Sequence, residues 1–144
     1  VFLHTFPGNV SFHLFEKILN ENISKEIKFV YIMSPPIYDK YIPLVLFNQH
    51  VMSKSKHNYK NFEQHKDEMK SEYENVNRLS NYSNFNYIDI AKKICDKKIK
   101  SKDKISLNCR IHNEKFKPFY FDNHHFTITG SKELEDLFTE IFLN

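Results

Sequence analysis

Glycine is almost absent from this chain of 144 residues, with Gly8 and Gly130 the only two, and there is no tryptophan and little proline. Arginine is equally scarce, limited to Arg78 and Arg110, so lysine supplies most of the positive charge and the formal net charge is only +3. A balance that slight does not imply a nucleic-acid partner. The abundance of Asn and Lys beside so little Gly and Arg reads mostly as the coding composition of the source. No apolar stretch approaches the roughly 20 residues needed to span a bilayer, and nothing at the start has the layout of a signal peptide. The chain opens on Val1-Phe2-Leu3 rather than on methionine. It is therefore read as a fragment whose first residues already lie inside a domain, with processing of a precursor as the alternative.

What is present suffices for one domain with a single core: 40% of the residues are hydrophobic and 15% aromatic, which argues against a wholly disordered chain. Cys95 and Cys109, the two cysteines, flank a lysine-rich segment. They read as a disulfide closing a short loop in an oxidising compartment, with two reduced core cysteines as the alternative. Glycosylation sequons at Asn9, Asn22 and Asn81 lean toward the same compartment, although a chain rich in Asn and Ser acquires some by chance.

The hydrophobic pattern alternates between strand and helix. Residues 1–6 read as a short buried strand, and residues 10–20 as an amphipathic helix carrying Phe12, Phe15, Ile18 and Leu19. Residues 27–33 read as a β-prone run stopped by Ser34-Pro35-Pro36. An irregular excursion is expected over residues 37–58, with a helical turn near Leu44-Val45-Leu46-Phe47. A long helix over residues 59–79 presents Phe62, Met69, Tyr73, Val76 and Leu79. Residues 86–90 read as a strand running into a small helix, and residues 92–104 as a solvated helix end and loop. Phe116 to Phe121 read as extended. The last helix carries the stripe Leu134, Leu137, Phe138, Ile141 and Phe142, with Thr127 as its N-cap and Gly130 letting its first turn approach the sheet. Such alternation marks an α/β domain with a largely parallel sheet.

The chemistry gathers at Asp122-Asn123-His124-His125, just before that helix. A histidine acting as general base needs one ring nitrogen toward the nucleophile and the other donating to a group that fixes its tautomer. A tight turn sets residues three apart side by side, so Asp122 and His125 are the candidate pair and His124 the competitor. The same spacing also suits an ordinary cap-and-turn, in which Asp122 binds backbone amides and both histidines are exposed. His112, His124, His125 and Cys109 have no recognised zinc-ligand spacing, so no metal and no organic cofactor is expected.

The block Tyr120-Phe121-Asp122-Asn123-His124-His125-Phe126-Thr127-Ile128-Thr129-Gly130 resembles the terminal block of SGNH (GDSL-type) hydrolases, Asp-x-x-His-Leu-Ser/Thr-x-x-Gly, with Phe126 where leucine is usual. The layout is closest to the SGNH domain fused to membrane-bound O-acyltransferases. Shared features are the Val30-Tyr31-Ile32 strand leading to Ser34-Pro35-Pro36, the long charged helix and the paired cysteines. The resemblance implies a three-layer α/β/α fold with a mainly parallel sheet, SGNH/flavodoxin-like, of which residues 1–144 would be the C-terminal portion. It implies His125 and Asp122 as catalytic residues and Asn9 as an oxyanion donor, although the family's Gly-x-Asn-Asp pattern is not reproduced around Asn9. The family's nucleophile lies in a Gly-Asp-Ser block that does not occur here, and Ser11, Ser34 and Ser53 lack that context.

The expected activity is therefore that of an SGNH-type O-acyltransferase or acyl esterase acting on O-linked acyl groups, with the serine outside this chain and the piece alone inactive. Its partner would be a small-molecule or carbohydrate acyl acceptor, not nucleic acid. Membrane association would come only through a missing transmembrane domain, with this part extracytoplasmic or luminal. A non-catalytic carbohydrate- or partner-binding module, or a standalone secreted esterase, are the alternatives.

Overall fold

A computed structural model describes residues 2–3, 11–51, 60–101 and 104–143. In chain order the elements are β1 (Phe2–Leu3), α1 (Phe12–Asn22), β2 (Phe29–Ile32), α2 (Ile42–His50), α3 (Phe62–Glu68) and α4 (Lys70–Leu79). These are followed by β3 (Phe85–Ile88), α5 (Ile90–Ile94), β4 (Lys97–Ser101), β5 (Lys104–Asn108), α6 (Ile128–Lys132) and α7 (Glu135–Leu143). The fold is α/β with a small parallel sheet, and the chain divides into two compact units, Val1–Ser34 with Lys66–Ile90 and Pro35–His65 with Ala91–Asn144.

The first unit holds the parallel sheet, in the order β1-β2-β3, with Phe2 opposite Val30 and Val30 opposite Asn86. Successive parallel strands laid down in one direction through right-handed crossovers put their connecting helices on the same face. The core agrees: Phe15 and Leu19 of α1 and Val76 and Leu79 of α4 pack with Phe29, Tyr31, Met33 and Phe85 from the sheet and its margin. Helix α1 starts where expected, with Ser11 Oγ accepting from the Leu14 amide. The expected long helix is divided at Met69, whose φ of −101° and ψ of 21° are not helical. On α4 the apolar stripe also carries a buried carboxyl, because Glu72 Oε1 accepts from the Tyr31 hydroxyl at 2.7 Å and from the Ser34 amide and hydroxyl, each at 3.1 Å.

In the second unit, the excursion expected to be irregular contains a nine-residue helix, α2, with Pro43 in its first turn, where the missing N–H costs nothing. Ile42, Val45 and Leu46 are its buried residues. Helix α3 opens on a reciprocal cap: Asn61 Oδ1 accepts from the Gln64 amide at 2.8 Å and Gln64 Oε1 from the Asn61 amide at 3.1 Å. The lysine-rich segment expected to be a solvated helix end and loop is instead an antiparallel hairpin, β4 with β5, paired from Lys97 opposite Asn108 to Ser101 opposite Lys104. Cys95 and Cys109 are joined by a disulfide. That bond ties the chain together just outside the Lys97 and Asn108 pair.

Candidate active site

The candidate loop is a tight reversal. The Phe119 amide donates to the Ile111 carbonyl at 2.8 Å, the Phe121 amide to the His125 carbonyl at 3.0 Å and the Thr127 amide to the Phe119 carbonyl at 2.8 Å, with Tyr120 and Phe126 bridged across it. Beneath lies the fully buried Tyr120, its ring 5.2 Å from Tyr38 and 4.8 Å from Phe126. Burial, and then Tyr38 beside it, push the Tyr120 hydroxyl well above the ordinary tyrosine range, so it stays protonated. The start of α2 braces the loop from outside: the Tyr38 amide donates to the Asn123 carbonyl at 3.0 Å and the Ile42 amide to the Asp122 carbonyl at 3.1 Å.

Phe116 to Phe121 form no strand and are held by isolated bridges at Pro118 and Tyr120. Thr127 caps α6, accepting from the Gly130 amide at 3.1 Å. Gly130 is buried as expected, but what it approaches is the Phe119 carbonyl of the loop rather than the sheet: a Cβ there would lie 2.2 Å from that oxygen.

Asp122 serves both purposes between which its spacing leaves the choice open. Its Oδ1 accepts from the His124 and His125 amides, each at 2.8 Å, which builds the turn. Its Oδ2 meets His125 Nδ1 at 2.6 Å. Partial desolvation pulls this carboxyl upward, but the two amides and the His125 ring outweigh it and hold the group far below the usual carboxylate range. An ionised carboxylate only accepts, so His125 Nδ1 carries the hydrogen and the lone pair of the neutral ring sits on Nε2. The His125 side chain is 50% exposed and that of Asp122 24%, so the pair is reachable from outside while its anion is sheltered.

His124 takes a different partner, with Nδ1 2.7 Å from Asn123 Oδ1 and 3.7 Å from Asp122 Oδ1. The His125 ring lies against two neighbours: Phe121, near-parallel at 5.4 Å and 11°, and His124 at 3.8 Å. Phe121, inside the same motif, is a contact that the sequence did not announce; an aromatic residue four positions before the histidine, at the start of the turn, is the one signal it offered.

Other sequence candidates go elsewhere. Ser11 caps α1 and Ser34 binds Glu72, while Asn9 and Ser53 lie outside the described residues. Cys109 is bonded to Cys95 and offers no thiolate. Of the sequons, Asn22 donates from its side chain to the Ile18 carbonyl at 2.7 Å and Asn81 to the Arg78 carbonyl at 3.0 Å; the Asn9 sequon begins outside the described residues. Among the described residues no helix is long and apolar enough to cross a membrane. A family model described as SGNH domain (fused to AT3 domains) matches residues 13–140. No curated protein and no solved structure matches the chain.

Proposed function

Because the chain belongs to the family of SGNH domains fused to AT3 domains, we propose that it supplies the histidine and aspartate of a centre that transfers or hydrolyses O-linked acyl groups. The observation that carries this reading is the 2.6 Å contact of His125 Nδ1 with Asp122 Oδ2 in a half-exposed loop. A serine contributed from outside this chain attacks the acyl carbonyl while His125 Nε2 takes its proton. The imidazolium so formed is stabilised by Asp122, and it returns the proton to the leaving alcohol. A second pass through the same relay activates the acceptor: a sugar or small-molecule hydroxyl in a transferase, water in an esterase. Backbone amides and an asparagine, for which Asn9 is the candidate, would hold the oxyanion.

The family context supports a membrane-protein setting, with this domain outside the cytoplasm or in a lumen and any membrane attachment made by another domain. His125→Ala in the full-length protein is expected to lower acyl-ester turnover by about a thousandfold or more. His124→Ala should cost far less. Unchanged turnover in His125→Ala, with folding intact by circular dichroism, overturns the proposal.

A further inference from the structure

We propose that Asp122, His124 and His125 also form a binding site for a divalent transition metal of borderline softness, Zn2+ foremost, which competes with proton transfer for the His125 ring. Each residue offers one ligand atom, and the three atoms lie within 4.8 Å of one another. A tetrahedral zinc ion with ligands at about 2.0–2.1 Å separates them by about 3.4 Å. The side chains of Asp122, His124 and His125 are 24%, 25% and 50% exposed, which leaves them room to adjust toward that spacing. The ligand positions not filled by protein would be open to water.

The donor set decides the class of cation. Two imidazole nitrogens with one carboxylate oxygen favour Zn2+, Cu2+ or Ni2+ over Mg2+ and Ca2+, which take oxygen ligands. The two rings are neighbours, with centroids 3.8 Å apart, and would part somewhat to share a cation. A metal-bound imidazole keeps its second nitrogen on an oxygen acceptor, and Asn123 Oδ1, 2.7 Å from His124 Nδ1, fills that role. His112 and Cys109, considered from sequence with these histidines, are not needed: Cys109 is in a disulfide, and His112 stacks on Phe116 at 4.8 Å. The binding rests on ligand atoms alone, whereas its competition with proton transfer rests on the proposed acyl chemistry.

Isothermal titration of the purified protein with zinc chloride at pH 7.5 should show one ion bound per chain. His124→Gln and Asp122→Asn should each weaken binding by more than about tenfold, while His13→Gln, exposed on α1, should leave it unchanged. Histidine ring resonances of His124 and His125 in the unmutated protein should shift together on adding zinc, a readout independent of how the variants fold. No binding at about millimolar zinc, rings that do not respond, or affinity retained in both loop variants, which means an adventitious ion only, overturns the proposal.

Discussion

Replacing Gly130 by alanine sets two effects of opposite sign against each other. In a helix interior alanine is favoured over glycine by about 1 kcal/mol, so a reading of propensity alone expects a more stable protein. The structure reverses that sign. The new Cβ would lie 2.2 Å from the Phe119 oxygen, 2.8 Å from Phe126 Cδ1 and 3.0 Å from the Phe119 carbonyl carbon. The Phe119 oxygen cannot withdraw freely, because it accepts from the Thr127 amide at 2.8 Å and from Thr127 Oγ1 at 3.3 Å, and Thr127 in turn caps α6. Relief therefore means moving α6 off the loop by about 1 Å, straining these hydrogen bonds at about 1 kcal/mol each and adding an overpacking cost of about 1–3 kcal/mol. Net of the propensity gain, and counting the two bonds to the Phe119 oxygen, about 2–4 kcal/mol of destabilisation remains. At about 4 °C per kcal/mol for a chain of this length, the melting midpoint should fall by about 8–16 °C. Thermal unfolding followed by far-ultraviolet circular dichroism measures it, with Ser131→Ala, at the exposed neighbouring position, as a control that should move little. An unchanged or raised midpoint for Gly130→Ala would refute the close approach of helix and loop.

Asp122→Asn keeps an oxygen for the two amides but turns an amide N–H toward His125 Nδ1, which forces the proton onto Nε2. Acyl-ester turnover of the full-length protein should fall by about 10³–10⁴-fold, and a loss below tenfold would remove Asp122 from the relay. Because the Asp122 carboxyl titrates lower in the folded chain than the value near 3.9 expected when unfolded, its stabilisation is complete above that value and is lost as the pH falls below about 4. The unmutated protein should therefore lose more of its melting midpoint than Asp122→Asn does between pH 5 and the acid limit. Glu72→Ala removes the acceptor shared by Tyr31 and Ser34 and should cost about 3 kcal/mol in urea denaturation, whereas Glu72→Gln, retaining Oε1, should cost less than half as much; equal effects would show that the buried acceptor is unimportant. Reducing the Cys95 to Cys109 bond, which spans a separation of 14 residues, should cost about 3 kcal/mol through the entropy returned to the unfolded chain. A midpoint unmoved by reductant would contradict that.

Legibility followed the range of the physics involved. The helix at residues 12–22 and the strand at residues 29–32 were readable because one face of each is buried and the apolar period survives in the sequence. The hairpin at residues 97–108 was not, because a run of lysines hides the strand pattern and the pairing is tied by a bond between Cys95 and Cys109, which sequence reasoning left with an alternative. Helix α2 was reduced to a single turn because its residues are apolar on several sides and show little periodicity; Pro43 at its start was the overlooked signal. The buried place of Glu72 was not legible, since nothing local announces that a tyrosine and a serine about 40 residues away will point at it.

The sequence alone pointed to the family and the α/β class and marked Asp122 and His125 as the candidate pair, because a spacing of three and a following cap are local matters that a short loop can present. Only the tertiary structure decided how Asp122 divides its two oxygens, which partner His124 takes, what Gly130 must avoid and which aromatic ring lies on His125. Those depend on where the Phe119 carbonyl and the start of α2 lie when the chain has folded, and packing between distant segments leaves no period or spacing behind in the sequence.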